Sequence, residues 1–125
     1  MKKGLERALI KTTLDEYWDL HSLKLALDNE EVYGFYQVES GYAGVYSVYQ
    51  TPKAKVLYFF WSGKDPSYSQ PVDYFQVNDY LKCLAERLGC THLSCEGRKG
   101  WLAILKPLGY KEDCTTFTLE INNVQ

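Results

Sequence analysis

The run Lys55-Val-Leu-Tyr-Phe-Phe-Trp61 constrains this chain more than any other segment. Everything after Lys55 in it is apolar or aromatic, with no polar residue at alternate positions. A strand of that kind has no face to offer water, so it belongs at the centre of a sheet covered on both sides. The segments around it supply the cover. Asp73–Leu88 places Tyr74, Val77, Leu81, Leu84 and Leu88 at spacings of three and four, and Gly89 supplies the stop, which predicts a helix.

Upstream, Val32–Val38 and Ala43–Tyr49 are rich in Val, Phe and Tyr and flank Glu39-Ser40-Gly41-Tyr42, so they read as a hairpin. Pro52 marks the next turn, making three consecutive strands a meander. A helix over Leu14–Leu27 precedes them, with Thr13 as N-cap and Glu16 reaching back. The first twelve residues fit either a short helix or an extended strand. Ser62–Pro71 holds Gly63, Pro66 and Pro71 and reads as a partly exposed loop. His92–Cys95 is a short strand, Trp101–Leu108 a short helix ending at Gly109, and Thr115–Ile121 a final edge strand. The expected fold is α+β: one domain over residues 1–125, an antiparallel meander leading into a parallel strand–helix–strand crossover, with helices on both faces.

Composition removes several function classes. The net charge is −2 with scattered bases, which is not the footprint of a nucleic-acid binder. No apolar run approaches membrane-spanning length, and the start lacks a signal-peptide pattern, so a cytoplasmic, non-secreted protein is expected. Cys83, Cys90, Cys95 and Cys114 lack CxxC spacing, and His92 beside Cys90 reads as packing rather than a Cys-His dyad, so neither a metal site nor a redox motif is expected. His21 reads as a helix-surface residue and His92 as strand packing. Eleven Tyr, five Phe and three Trp form an aromatic surplus suited to half-buried sheet faces and protein interfaces.

The element order, together with Gly97-Arg98-Lys99-Gly100-Trp101-Leu102-Ala103-Ile104-Leu105-Lys106-Pro107-Leu108-Gly109-Tyr110, resembles the GNAT superfamily of acyl-CoA-dependent N-acetyltransferases. That family follows a strand with Asn, a helix carrying Ala and Tyr, then Gly-Phe and a last strand. With Gly109-Tyr110 in the Gly-Phe place, Arg98 takes the Asn position, Trp101 the Ala position and Leu105 the Tyr position. Glu96–Trp101 is also similar to a Glu-Gly-Arg-x-Gly-Trp stretch of small phage-encoded GNAT-like proteins. The layout is similar to that of a small internal virion protein of short-tailed phages. The resemblance covers roughly residues 30–121.

The departures from the family bear on function. GNAT enzymes hold the CoA pyrophosphate on backbone N–H groups of a Gly-rich turn opening the central helix, where donors and partial positive charge are available. Here Trp61–Val72 has one glycine, Gly63, and two prolines, which have no N–H to give. Trp61, Ser62, Gly63 and Val72 are the positions from which a cofactor contact would come. Leu105 cannot protonate a departing thiolate as the family's Tyr does. Glu96 and Tyr110 are the candidates for a base if the chain is an enzyme, although Glu96 also reads as a surface residue. Arg98, Lys99 and Trp101, with Tyr68 from the Asp65–Tyr68 loop, are the partner-binding candidates. Trp101 equally reads as a core anchor whose removal costs roughly 3–5 kcal/mol.

The expectation is therefore a non-catalytic GNAT-like interaction or structural module without a cofactor, phage-encoded and part of a virion or its assembly. It would work with a protein partner, in the virion or the host cytoplasm, away from nucleic acid and membrane. The alternatives are an active acetyltransferase using acetyl-CoA at an unusual site, and a phage inhibitor of a host defence protein.

Overall fold

The computed structural model describes residues 19–96, 101–112, 119 and 121. Residues 1–12, the Thr13–Glu16 capping box and most of the Thr115–Ile121 strand lie outside the described residues. The described elements run in the order α1 (Leu20–Asp28), β1 (Tyr33–Gln37), β2 (Tyr42–Gln50), β3 (Lys55–Lys64), α2 (Tyr74–Arg87), β4 (His92–Cys95), α3 (Leu102–Leu105) and a 3₁₀ turn, Lys106–Leu108.

The four strands form one sheet in the order β1-β2-β3-β4. β1, β2 and β3 pair antiparallel, and β3 and β4 pair parallel. This is the expected meander and crossover, with the Lys55–Trp61 run inside the sheet. Each face carries its own core. On one, Leu23 and Ala26 of α1 pack with Val32, Ala43, Val45 and Trp61. On the other, Val77, Leu81 and Ala85 of α2 pack with Phe35, Tyr42, Tyr46 and Leu57.

Three boundaries differ from the sequence reading. α1 begins at Leu20, not Leu14, because Asp19 is extended and its carboxylate accepts from Ser22 N at 2.7 Å. A side chain that caps the amide three residues on starts a helix there. β3 runs past Trp61 to Lys64, since Ser62–Lys64 keep pairing with Tyr42–Gly44. Trp101–Leu108 is not one helix: α-geometry ends at Leu105 and a 3₁₀ turn takes Pro107 near its start, where a missing N–H is harmless.

Two local features set the sheet's shape. The pairs Val45↔Trp61 and Tyr46↔Phe59 leave Phe60 as an extra residue, a β-bulge in β3. At the β1–β2 turn, Gly41 has φ of 69°, and a Cβ there would lie 2.7 Å from the Tyr68 ring. Only glycine meets both conditions.

Candidate functional site

Pairing between β3 and β4 runs from Val56↔His92 to Phe59↔Cys95 and closes with Glu96 N donating to Phe59 O at 3.1 Å. There the bulge intervenes: β3 continues to Lys64 against β2 while β4 ends. The parallel pairing thus stops at the carboxyl end of β4, an opening of the ladder at the place where open α/β sheets commonly hold ligands.

Groups from several elements meet near this opening. Tyr42 of β2 meets Tyr74 of α2 edge-on, with centroids 5.7 Å apart, and Tyr74 meets Trp101 at 5.6 Å and 88°. One helical turn beyond Tyr74, Asn78 accepts a 2.6 Å hydrogen bond from the Tyr110 hydroxyl. That hydroxyl also lies against the Cys95 thiol at the end of β4. Trp101–Tyr74 and Tyr110–Asn78 therefore tie the segment after β4 to the first two turns of α2.

Burial governs the acid–base behaviour here. It pushes Tyr110 far above the ordinary phenol value, helped by Cys95, and pushes Cys95 from 9.0 up to about 11, with Tyr110 pulling it partway back. Tyr42 is raised by burial, which the nearby Ser62 hydroxyl offsets in part, and Tyr74 is raised by burial. Yet the Tyr42 hydroxyl is buried without a partner in hydrogen-bonding geometry. All these groups stay neutral at ordinary pH, so they can donate protons or hydrogen bonds but do not act as anions.

A stability profile follows from the signs. Each folded value exceeds its unfolded one, so the contribution is complete below the unfolded value and is lost as pH rises through the folded one. Stability should hold from neutral pH to about 9, then fall as the unfolded chain sheds the Cys95 proton first. Cys95→Ala should delay that fall until tyrosines begin to ionise near 10. Chemical melts across this range check it, and a Cys95→Ala profile identical to the parent's would contradict it.

The amino terminus of α2 is already occupied. Asp73 caps it, its carboxylate accepting from Gln76 N at 3.1 Å. Gln37, buried at the end of β1, donates from Nε2 to Asp73 O at 3.1 Å and to Gln76 Oε1 at 2.7 Å. Its Oε1 accepts from Asp73 N at 3.1 Å and from the Ser40 hydroxyl. The loop before it closes on itself: buried Asp65 accepts from Ser67 N and Oγ, and Lys64 donates to Tyr68 O at 2.7 Å.

The sequence candidates separate accordingly. Tyr110 and Trp101 lie at the opening, and Ser62 lies beside Tyr42. Glu96 is exposed, with its backbone in the ladder. Trp61 is buried in the core on the α1 face, and Gly63 pairs with Ala43. Val72 packs on the α2 side, and Tyr68 folds back over Gly41. Arg98 and Lys99 lie outside the described residues. Sequence reading passed over Gln37, Tyr42, Asp73, Tyr74, Asn78 and Cys95. Asn78 carried a signal, being an amide on the apolar stripe of α2 between Tyr74 and Leu81. Among the described residues no cluster of His, Cys, Asp and Glu could hold a metal ion, and no helix is long and apolar enough to cross a membrane.

No protein-family model matches the chain, and no curated protein does. Solved structures do resemble it. A Trypanosoma brucei acetyltransferase is 13% identical with a TM-score of 0.67, over 97% of this chain and 95% of that one. Arabidopsis thaliana glucosamine-6-phosphate N-acetyltransferase is 10% identical with a TM-score of 0.69, over 97% and 91%. The aminoglycoside N-acetyltransferase AAC(6')-Iy, solved in complex with CoA, is 17% identical with a TM-score of 0.67, over 96% and 90%. The chain has a GNAT-like fold.

Proposed function

We propose that this chain uses the GNAT-like fold to bind a protein rather than to transfer an acetyl group. One observation carries the reading: the Asp73 carboxylate sits on the α2 amino terminus, where a CoA pyrophosphate would need the free amides. An incoming phosphate would have to displace an internal anion and disturb the Gln37 contacts behind it. The Trp101–Tyr74 contact, which ties the segment after β4 to α2, supports the same reading. Titration with acetyl-CoA by calorimetry should give no heat at concentrations that saturate ordinary acetyltransferases. Clear one-to-one binding would overturn the reading.

That outcome would favour a second reading, an acetyltransferase with an atypical CoA site. Tyr110 supports it. Leu105 has no proton to give, whereas the Tyr110 hydroxyl stands at the opening, held by Asn78 and kept protonated by burial. Glu96 is exposed, next in sequence to Cys95, and would be available as a base.

The similarity of Glu96–Trp101 to small phage GNAT-like proteins supports a virion or assembly protein as the partner, and the virion or host cytoplasm as the location. A host defence protein is the alternative target. The chain should co-sediment with purified virions from infected cells. Recovery only in the soluble fraction with a host protein would favour the alternative.

A further inference from the structure

Part of the aromatic surplus gathers away from the β3–β4 opening. Tyr33 of β1 stands opposite Tyr46 of β2, with ring centroids 5.7 Å apart. From α2, Tyr80 sets its ring 5.7 Å from Phe35. Both Tyr80 and Tyr33 act on the Tyr46 hydroxyl, which burial and then these two neighbours push up to about 12. Tyr46 is 7% exposed, whereas Tyr33 and Tyr80 are 44% and 49% exposed. A buried phenol therefore lies between two exposed ones. Its hydroxyl makes no hydrogen bond to any described residue.

On the hairpin side of this cluster the charge has one sign. Residues 25–52, which include the whole β1–β2 hairpin, hold Asp28, Glu30, Glu31 and Glu39 and no Lys or Arg. All four carboxylates are exposed, as is Asp79 next to Tyr80. Lys82, one turn after Asp79, and Arg87 bound this acidic stretch along α2. Exposed phenol faces, an unpartnered hydroxyl and the exposed carboxylates of the hairpin together match one side chain best. A guanidinium stacks on aromatic rings, donates through several N–H groups and carries the complementary charge; a lysine ammonium does not stack in this way.

We propose that the Tyr33–Tyr46–Tyr80 cluster is the docking point for an arginine on a basic segment of a protein partner. Tyr33 and Tyr80 receive the guanidinium between their rings. Tyr46, a neutral phenol, accepts one N–H, and Glu31 and Asp79 supply the counter-charge. This rests on the protein-binding reading above but uses a different surface from the β3–β4 opening.

The test is fluorescence anisotropy of the full chain with a short labelled arginine-bearing peptide and the same peptide carrying lysines. The arginine form should bind about tenfold tighter. Tyr33→Ala combined with Tyr80→Ala should weaken it by about tenfold or more. Tyr46→Phe, which keeps the ring and removes only the hydroxyl, should weaken it several-fold with an unchanged melt. Equal binding of the two peptides, no binding of either, or indifference to Tyr46→Phe would overturn the proposal. The acetyl-CoA titration reads the opening separately. Binding there would sink the interaction-module reading and leave the arginine result to stand or fall by itself.

Discussion

Gln37→Leu is expected to cost the domain about 3 kcal/mol, in a side chain of nearly the same volume. Gln37 is 7% exposed, and both ends of its amide are used. Nε2 donates to Asp73 O and Gln76 Oε1, while Oε1 accepts from Asp73 N and the Ser40 hydroxyl. Leucine leaves all four groups without that partner. Asp73 and Gln76 reach water and recover part of the loss, but Ser40 is 1% exposed and does not. The Ser40 oxygen still accepts from Tyr42 N, but a buried hydroxyl proton without an acceptor costs about 1–3 kcal/mol, and the docking of the helix start is lost with it. At this chain length the effect is roughly 10 °C in Tm. Gln37→Glu should do no better, because an ionised carboxylate only accepts and would face both Asp73 O and Gln76 Oε1. Denaturant midpoints with an unchanged m-value are the measurement. A shift below about 1 kcal/mol would mean that water replaces the amide without penalty.

The same residue marks how far the sequence can be read. The element order, the meander, the crossover and the inside place of β3 follow from periodicity and turn residues, which are local properties. The contacts that position α2 are not local. Gln37 and Asp73 are far apart in the chain, and a glutamine at the end of a strand carries no mark of what it will face. The two-residue period of a strand also misleads at one point. Leu57, Phe59 and Trp61 have the same parity and would share a face. Phe60 bulges out of the ladder, so Leu57 and Phe59 stay on the α2 side while Trp61 turns to the α1 side. One extra residue thus removes Trp61 from the opening where the sequence reading had put it. Tyr110 was found because it sits in the Gly109-Tyr110 pair. Its partner Asn78 could have been found from its place on an apolar stripe, and Cys95 carried no signal beyond its strand.

The two tryptophans should therefore behave in opposite ways to the order their sequence contexts imply. Trp61, 6% exposed, packs with Leu23, Ala26, Val32, Ala43 and Val45, so Trp61→Ala should cost about 3–5 kcal/mol. That is most of the stability of many small domains, so a molten or insoluble product is expected. Trp61→Phe should be milder, because less of the buried side chain is removed. It keeps an aromatic ring in the core and removes an indole N–H that is buried without a partner, which offsets some of the lost volume. Trp101 is only half-buried, and no residue of the α3 turn that follows it is buried. Trp101→Ala forfeits one edge-on contact with Tyr74 and part of its area, about 2 kcal/mol, rather than the cost of a fully buried anchor. The Trp101→Ala protein should fold, with the β3–β4 opening less obstructed and the Tyr110–Asn78 bond still in place. Thermal melts of the three variants decide the matter. A Trp101→Ala protein that unfolds more readily than Trp61→Ala would make the tie between α2 and the segment after β4, not the α1-side core, the principal support of the sheet.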